Sequence, residues 1–424
     1  MSLFKSNLSK VLTCSLILSS CFIFSSQAKA DVEQCTNSKG LKIGNENVCA
    51  EVSGLVRFDL QYDTRQETNS RDSYFSLYPK NVKINDKGID ENAVSNFNLG
   101  SILTRGKIKV YTPKLFGADV FGVIEGDFYG TKDTIQNLVL RHSYVKMTWE
   151  NAELLFGQYW SPLFNPDIIP QTVESNTGAP IAVLARFPQI MLTAKPMDNI
   201  RIYGGISAQG ESFKDIDGKI RQENSGVPGL HLHSDFVSKN YTFGLGSYLR
   251  TIRPELTSKN FESGAVEAYT KIVPVDELKI RASALFGSDM ADHIMTGGYL
   301  KTDDGQYKPL NLFSSWLDLD YNLTSNLSIG IFSGYTSNLG FFDKASVKEP
   351  LKQTTTTRAV DLAYLLRVSP RITYKIDKFS VALELEADRA LYGKSFSETL
   401  RPLAGVNDSP VSNYRIYLST YYNF

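Results

Sequence analysis

From Tyr414 to Phe424 the chain alternates without a break. Tyr414, Ile416, Leu418, Thr420, Tyr422 and Phe424 fall on one side, and Arg415, Tyr417, Ser419, Tyr421 and Asn423 on the other. Successive side chains of a β-strand point to opposite faces, so this segment is a strand with one mostly apolar face and one polar face. A soluble sheet hides the apolar face under a second layer, whereas a transmembrane barrel turns it to lipid and faces the polar side to water. Which solution applies depends on how often the pattern recurs.

It recurs throughout. Over 51–65, Val52, Gly54, Val56, Phe58, Leu60 and Tyr62 lie opposite Arg57, Asp59, Gln61 and Asp63. Further period-2 segments are read over 99–112, 118–131, 137–149, 153–160, 184–196, 200–208, 229–237, 241–251, 264–273, 277–287, 313–322, 327–337, 358–376 and 379–392. With the C-terminal segment this predicts an all-β fold, an antiparallel transmembrane barrel of sixteen strands. Tight turns at 113–117, 150–152, 238–240, 274–276, 323–326 and 377–378 alternate with long polar stretches, the first of them running to Asn98 and read as an extracellular loop. Bacterial barrels show this asymmetry, with short turns in the periplasm and long loops outside, which puts both termini in the periplasm. After the leader there is no apolar run of about 18 residues, the minimum for a membrane helix. The 22 Tyr and 24 Phe suit a barrel whose aromatics gather at the two membrane interfaces.

Residues 1–30 read as an export signal: Lys5 and Lys10, the apolar run from Val11 to Leu18, then Ala28–Lys29–Ala30 as a small-residue cleavage site before Asp31. A lipoprotein site at Leu18–Ser19–Ser20–Cys21 is the competing reading, and either one takes the chain out of the cytoplasm. Residues 31–50 are then a periplasmic segment and 51–424 the barrel. In that oxidising compartment Cys35 and Cys49 are expected to form a disulfide. The chain holds 45 basic and 45 acidic residues, a balance that excludes nucleic acid as a partner. Lipid and lipopolysaccharide are the expected surroundings of such a barrel.

The stretch 138–193 carries Leu140–Arg141–His142–Ser143–Tyr144–Val145–Lys146, then Leu155–Phe156–Gly157–Gln158–Tyr159–Trp160, Asn176–Thr177–Gly178–Ala179–Pro180 and Arg186–Phe187–Pro188–Gln189–Ile190. In order and spacing it resembles the DcaP-like outer-membrane porins. The resemblance implies a trimeric barrel with its third extracellular loop, about 161–183 here, folded into the lumen, and uptake of small, often anionic solutes. It also departs from that pattern: many relatives have a helical N-terminal segment, and here only about twenty residues precede the first strand. The terminal Phe424 resembles the ending that the barrel-assembly machinery engages. The residues of the loop agree with a stiff constriction, since Pro162, Pro166, Pro170 and Pro180 restrict it and Gly178 permits an unusual backbone angle.

Pore selectivity comes from width and from charges facing each other across the lumen. Strand parity turns Arg57, Arg105, Lys107, Lys109, Arg141, Arg367 and Arg415 inward, together with Asp119, Glu125, Asp127, Asp318, Asp320, Asp361, Glu384 and Glu386. Arg105, Lys107 and Lys109, with Arg141 and Arg186, form the expected electropositive strip; Asp167 and Glu174 on the loop are candidates for the facing wall. His231 and His233 share a face but lack a third ligand, so no metal is expected. No Ser–His–acid pattern and no phosphate loop is legible, hence no cofactor and no enzyme. The expected function is passive diffusion of small hydrophilic, often anionic, solutes; the alternative is a closed barrel serving as surface adhesin or structural protein.

Overall fold

Alternation becomes a wall when each strand finds a neighbour on both edges. The structure, a computed structural model, describes residues 41–44, 48–71, 73–130, 136–210, 219–347, 356–405 and 408–424. The sixteen wall strands are β1 (Cys49–Asp63), β2 (Arg105–Leu115), β3 (Ala118–Asp127), β4 (Val139–Thr148), β5 (Ala152–Trp160), β6 (Arg186–Met197), β7 (Ile200–Ser207) and β8 (Gly229–Val237). They continue as β9 (Tyr241–Ile252), β10 (Phe261–Val275), β11 (Leu278–Ser288), β12 (Tyr307–Asn322), β13 (Leu327–Gly340), β14 (Leu362–Ile376), β15 (Phe379–Tyr392) and β16 (Val411–Asn423). Each pairs antiparallel with the next, and β16 closes on β1 from Leu55↔Asn423 to Asp63↔Arg415. The ladder extends to the chain end, where Phe424 and Gly54 exchange both backbone hydrogen bonds. Leu41–Gly44 pairs with Cys49–Val52 and so covers the part of β1 that β16 does not reach.

The distribution of side chains is that of a soluble protein turned inside out. Val56 is 51% exposed and Phe58 44%, whereas Asp59, Gln61 and Asp63 beside them are fully buried. Leu245, Leu249, Leu232, Ile124 and Val266 continue the apolar outer surface around the ring. A surface of this kind has no place in water and defines a lipid-facing belt. At the short-turn end Phe236 stacks on Tyr241, and Phe116, Tyr321, Tyr374, Phe379 and Tyr422 stand exposed, an interfacial girdle. The turn between β2 and β3 is Phe116–Gly117 with φ of 51° and 76°, a primed hairpin whose twist matches the strands it joins.

Three readings of the sequence change here. The stretch before Asn98 is not simply an external loop: its hairpin, Glu67–Ser70 with Phe75–Pro79, is buried inside the barrel, and Asn96–Gly100 pairs with the outer end of β1. Strand two accordingly begins at Arg105 rather than near residue 99. Asp361 lies in the turn that precedes β14, because the strand starts only at Leu362. Cys49 is disulfide-bonded; its expected partner Cys35, the predicted leader and its Cys21 all lie outside the described residues.

Candidate functional site

The site is the lumen, and its floor plan follows from the long connection between β5 and β6, residues 161–185. Prolines keep this loop out of regular structure, so its backbone polar groups need partners elsewhere. The wall supplies them from inward side chains. Arg57 donates to the Val173 carbonyl at 2.8 Å, Arg367 to Ala179 at 2.9 Å and Ser314 to Ile181 at 2.6 Å. The Val173 amide donates to Glu384 at 2.6 Å and that of Gln171 to Asp318 at 3.1 Å. Thr177 and Gly178 have φ of 51° and 80°, and a Cβ on Gly178 would stand 2.9 Å from the Phe332 ring. Ile181, Ala179 and Val183 of the loop join Phe75, Leu77 and Tyr78 of the inner hairpin and Phe332 of β13 in one apolar cluster inside the barrel.

Glu174 is the centre of this attachment. Its carboxylate accepts from Arg415 at 2.7 Å and from the Ser76 amide at 2.6 Å, joining loop, hairpin and wall. Burial pushes this carboxyl up, against the pull of Arg415 and Arg367. Arg415 is also bidentate to Asp63, at 2.8 Å on both oxygens, and Arg367 is bidentate to Asp388 in the same way. Arg57 and Glu174, candidates for the pore wall, are thus both engaged in holding the loop. Arg371 and Arg281 likewise converge on Asp318 and Asp320.

The basic strip assembles on the opposite wall, over β2–β6. Arg141 lies 2.8 Å from both Glu125 and Asp127, and Arg105 lies 3.6 Å from each. The register slips between Glu125 and Gly126, so β4 carries a bulge there and both Arg141 and the following His142 turn inward. Arg141 and Arg186 stand over the Trp160 ring at 5.7 and 5.0 Å, and His142 packs edge-on against the same ring. Lys107 faces Glu125 across the ladder, and Lys109 sits 4.0 Å above Phe121. Arg71, which the sequence did not single out, joins this group from the inner hairpin, packed between Phe75 and Tyr129. Its signal was hidden because a loop residue has no strand parity.

Between the loop and β4–β8, on the short-turn side, lies a cavity of about 290 Å³. Asp167 borders it, 3.6 Å from Arg201, which pairs with Asp235 at 2.9 Å. At the root of the loop, Ser161 Oγ is 3.3 Å from His293 Nε2, and His293 Nδ1 is 2.8 Å from Asp292. The order Ser–His–Asp is that of a nucleophilic triad, which was not legible in the sequence because Ser161 and His293 are far apart along it. All three are buried, and Asp292 is shared with Arg250, so the group ties the 289–296 segment to the loop root. Burial pushes the Asp292 carboxyl up, but Arg250 and His293 outweigh it and hold it below the ordinary carboxylate range.

A closed ring of sixteen strands with apolar side chains outside, ion pairs inside and a loop fastened across the lumen defines a transmembrane β-barrel of the kind bacteria carry in the outer membrane. The outer-membrane channel DcaP of Acinetobacter baumannii shares this fold, with a TM-score of 0.67 at 16% identity over 91% of this chain and 99% of that one. The outer-membrane expressed OmpT of Vibrio cholerae superposes with a TM-score of 0.54 at 10% identity, covering 91% of this chain and all of its own. The anion-selective porin from Comamonas acidovorans gives 0.54 at 9% identity over 89% of this chain and all of its own. No protein-family model matches the sequence, and a search of characterised proteins by sequence finds no match.

Proposed function

We propose that this protein is a non-enzymatic porin of the outer membrane, through which small hydrophilic solutes, anions preferred, diffuse past a constriction made by residues 161–185. The observation that carries the reading is the loop bonded by its own backbone to β1, β12, β14 and β15. In this reading a loop held in this way narrows the lumen, and solutes pass along the β2–β6 wall. At that wall Arg105, Lys107, Lys109, Arg141 and Arg186, with Arg71 from the inner hairpin, outnumber Glu125 and Asp127, and low-dielectric surroundings focus the resulting field on a passing ion. Resemblance to DcaP-like porins supports export by the leader, assembly through the strand that ends at Phe424, and a homotrimer. The test is conductance of the refolded protein in a planar bilayer under a salt gradient. Discrete steps whose reversal potential has the anion sign are expected, with the preference reduced in Arg105→Ala/Arg141→Ala; steps of cation sign overturn the selectivity. A folded barrel that passes no current overturns the channel. It favours the second reading, a filled surface barrel, for which the apolar cluster of hairpin and loop inside the lumen speaks.

A further inference from the structure

Where loop, inner hairpin and wall meet, the buried charges do not balance. The register sets Asp63 of β1 level with Arg415 of β16, and Arg415 level with Glu386 of β15. Two residues along β15, Asp388 is level with Arg367 of β14. Glu174 of the loop and Glu67 of the hairpin reach the same place. Arg415 donates to Glu174 at 2.7 Å, while Ser76 donates its amide to Glu174 at 2.6 Å and its hydroxyl to Glu67 at 2.8 Å. All seven of these ionisable groups are buried. Five are carboxyls and two are guanidiniums, so full ionisation would leave a surplus of three negative charges.

Neighbouring cations do not make up the difference. Arg57 is matched by Asp59 at 2.7 Å, Arg65 by Asp90 at 2.8 Å, and Arg371 and Arg281 by Asp318 and Asp320. Glu384, the preceding inward residue of β15, adds a further carboxyl, which accepts from the Val173 amide. The surrounding phenols, Tyr78, Tyr129, Tyr392 and Tyr417, carry no charge at neutral pH. Among the described residues, one oxygen of Glu67, one of Glu174 and both of Glu386 accept no hydrogen bond, although Arg367 Nε stands 3.2 Å from Glu386. A buried carboxylate without donors is costly, and clustered like charges raise one another's affinity for protons, so such groups are neutral instead. Burial and the nearness of Asp388 push the Glu67 carboxyl well above its ordinary range, as burial does that of Glu174.

We propose that protons held by this carboxyl cluster fasten loop and hairpin to the wall, and that alkaline pH releases both as a conformational switch. The sign follows from the raised proton affinity: attachment is full below the unfolded value of about 4.3 and is lost as pH rises through the folded values. Repulsion then acts between Asp63, Glu386 and Asp388 on the wall and Glu67 and Glu174 on the inner elements. Each wall strand is locked by ladders on both edges, so the loop and hairpin are what move. Lifting residues 161–185 widens the lumen, a consequence that rests on the channel reading; the release itself does not.

The experiment uses the full chain folded in detergent, in a Cys14→Ser/Cys21→Ser background, with Val173→Cys as a buried reporter on the loop and Ser175→Cys as a second. Labelling by a methanethiosulfonate reagent is timed from about pH 6 to about pH 9, each rate divided by that of the unfolded chain at the same pH. The ratio is expected to climb by up to about tenfold per pH unit for each proton released. Glu67→Gln/Glu386→Gln supplies two neutral groups and leaves both bidentate arginine pairs in place, so it should flatten the climb. A ratio independent of pH, or an equal climb in the double variant, overturns the switch. So does loss of the folded barrel itself, read by heat-modifiable gel mobility, or a climb abolished by added calcium, which would put a bound cation in place of the protons. Bilayer conductance should rise over the same range; no current at any pH beside a climbing ratio removes the channel and leaves the switch standing.

Discussion

At the scale of single residues, what matters most is where a charge finds its counter-charge, and this is seldom visible in the chain. Asp292 is an example: nothing in the sequence around it marks an acid that holds Arg250 and His293 at once. Its carboxyl is held below the ordinary range, so it contributes stability that is present above the unfolded value of about 3.9 and is lost as pH falls through the folded value. The fraction of heat-modifiable folded barrel should therefore decline on acidification below about pH 4. Asp292→Asn should flatten that decline and cost about 3–5 kcal/mol at neutral pH by leaving Arg250 buried without its full set of partners; an unchanged acid limb counts against the assignment. Arg141 and His142 make the complementary point. Alternation sends only one of two neighbours inward, and a bulge sends both. Gly178 was readable as a residue with special backbone freedom, but the Phe332 ring, which stands 2.9 Å from where a Cβ would be and would have to shift to admit one, was not.

At the scale of elements, the strands were legible and the loops were not. The segments read over 229–237 and 379–392 coincide with β8 and β15, and the others differ by up to six residues at one or both ends. Strand period is a local property of consecutive side chains, and so survives being read without neighbours. The hairpin Glu67–Ser70 with Phe75–Pro79 was missed because its burial depends on contacts with β15 and β16, hundreds of residues away. The fastening of residues 161–185 tests whether these long-range contacts are energetic or incidental. Arg367 donates to Asp388 with two nitrogens and to the loop carbonyl of Ala179 with a third. Arg367→Ala should cost about 3–5 kcal/mol by stranding a buried carboxylate pair. Arg367→Lys should not restore the loss, because an ammonium cannot reproduce the bidentate fork. Thermal unfolding followed by gel mobility, with protease cleavage within 161–185 as the local readout, checks both; full rescue by lysine would show that charge alone holds the loop.

At the scale of the whole molecule, the field proposed for the β2–β6 wall is one that salt screens. The Debye length falls from about 10 Å at 0.1 M to 3 Å at 1 M, so charges acting across the lumen lose influence while contact pairs keep theirs. The proposed anion preference, read from reversal potentials, should therefore shrink as mean salt rises between those limits; a preference independent of salt would place selectivity in direct contacts instead. By itself the sequence determined the class of fold. The period-2 segments, their even count and the alternation of short and long connections are local patterns, each set by covalent order and the geometry of the strand. Only the tertiary structure decided which inward charges face open lumen and which fasten a loop. Arg57, Glu174, Arg367 and Arg415 share the parity or composition of pore-lining groups, yet their partners come from remote strands and from residues 161–185. A side chain's face is fixed by its own backbone, whereas its counter-charge is fixed by closure of the ring, and closure is a property of all sixteen strands together.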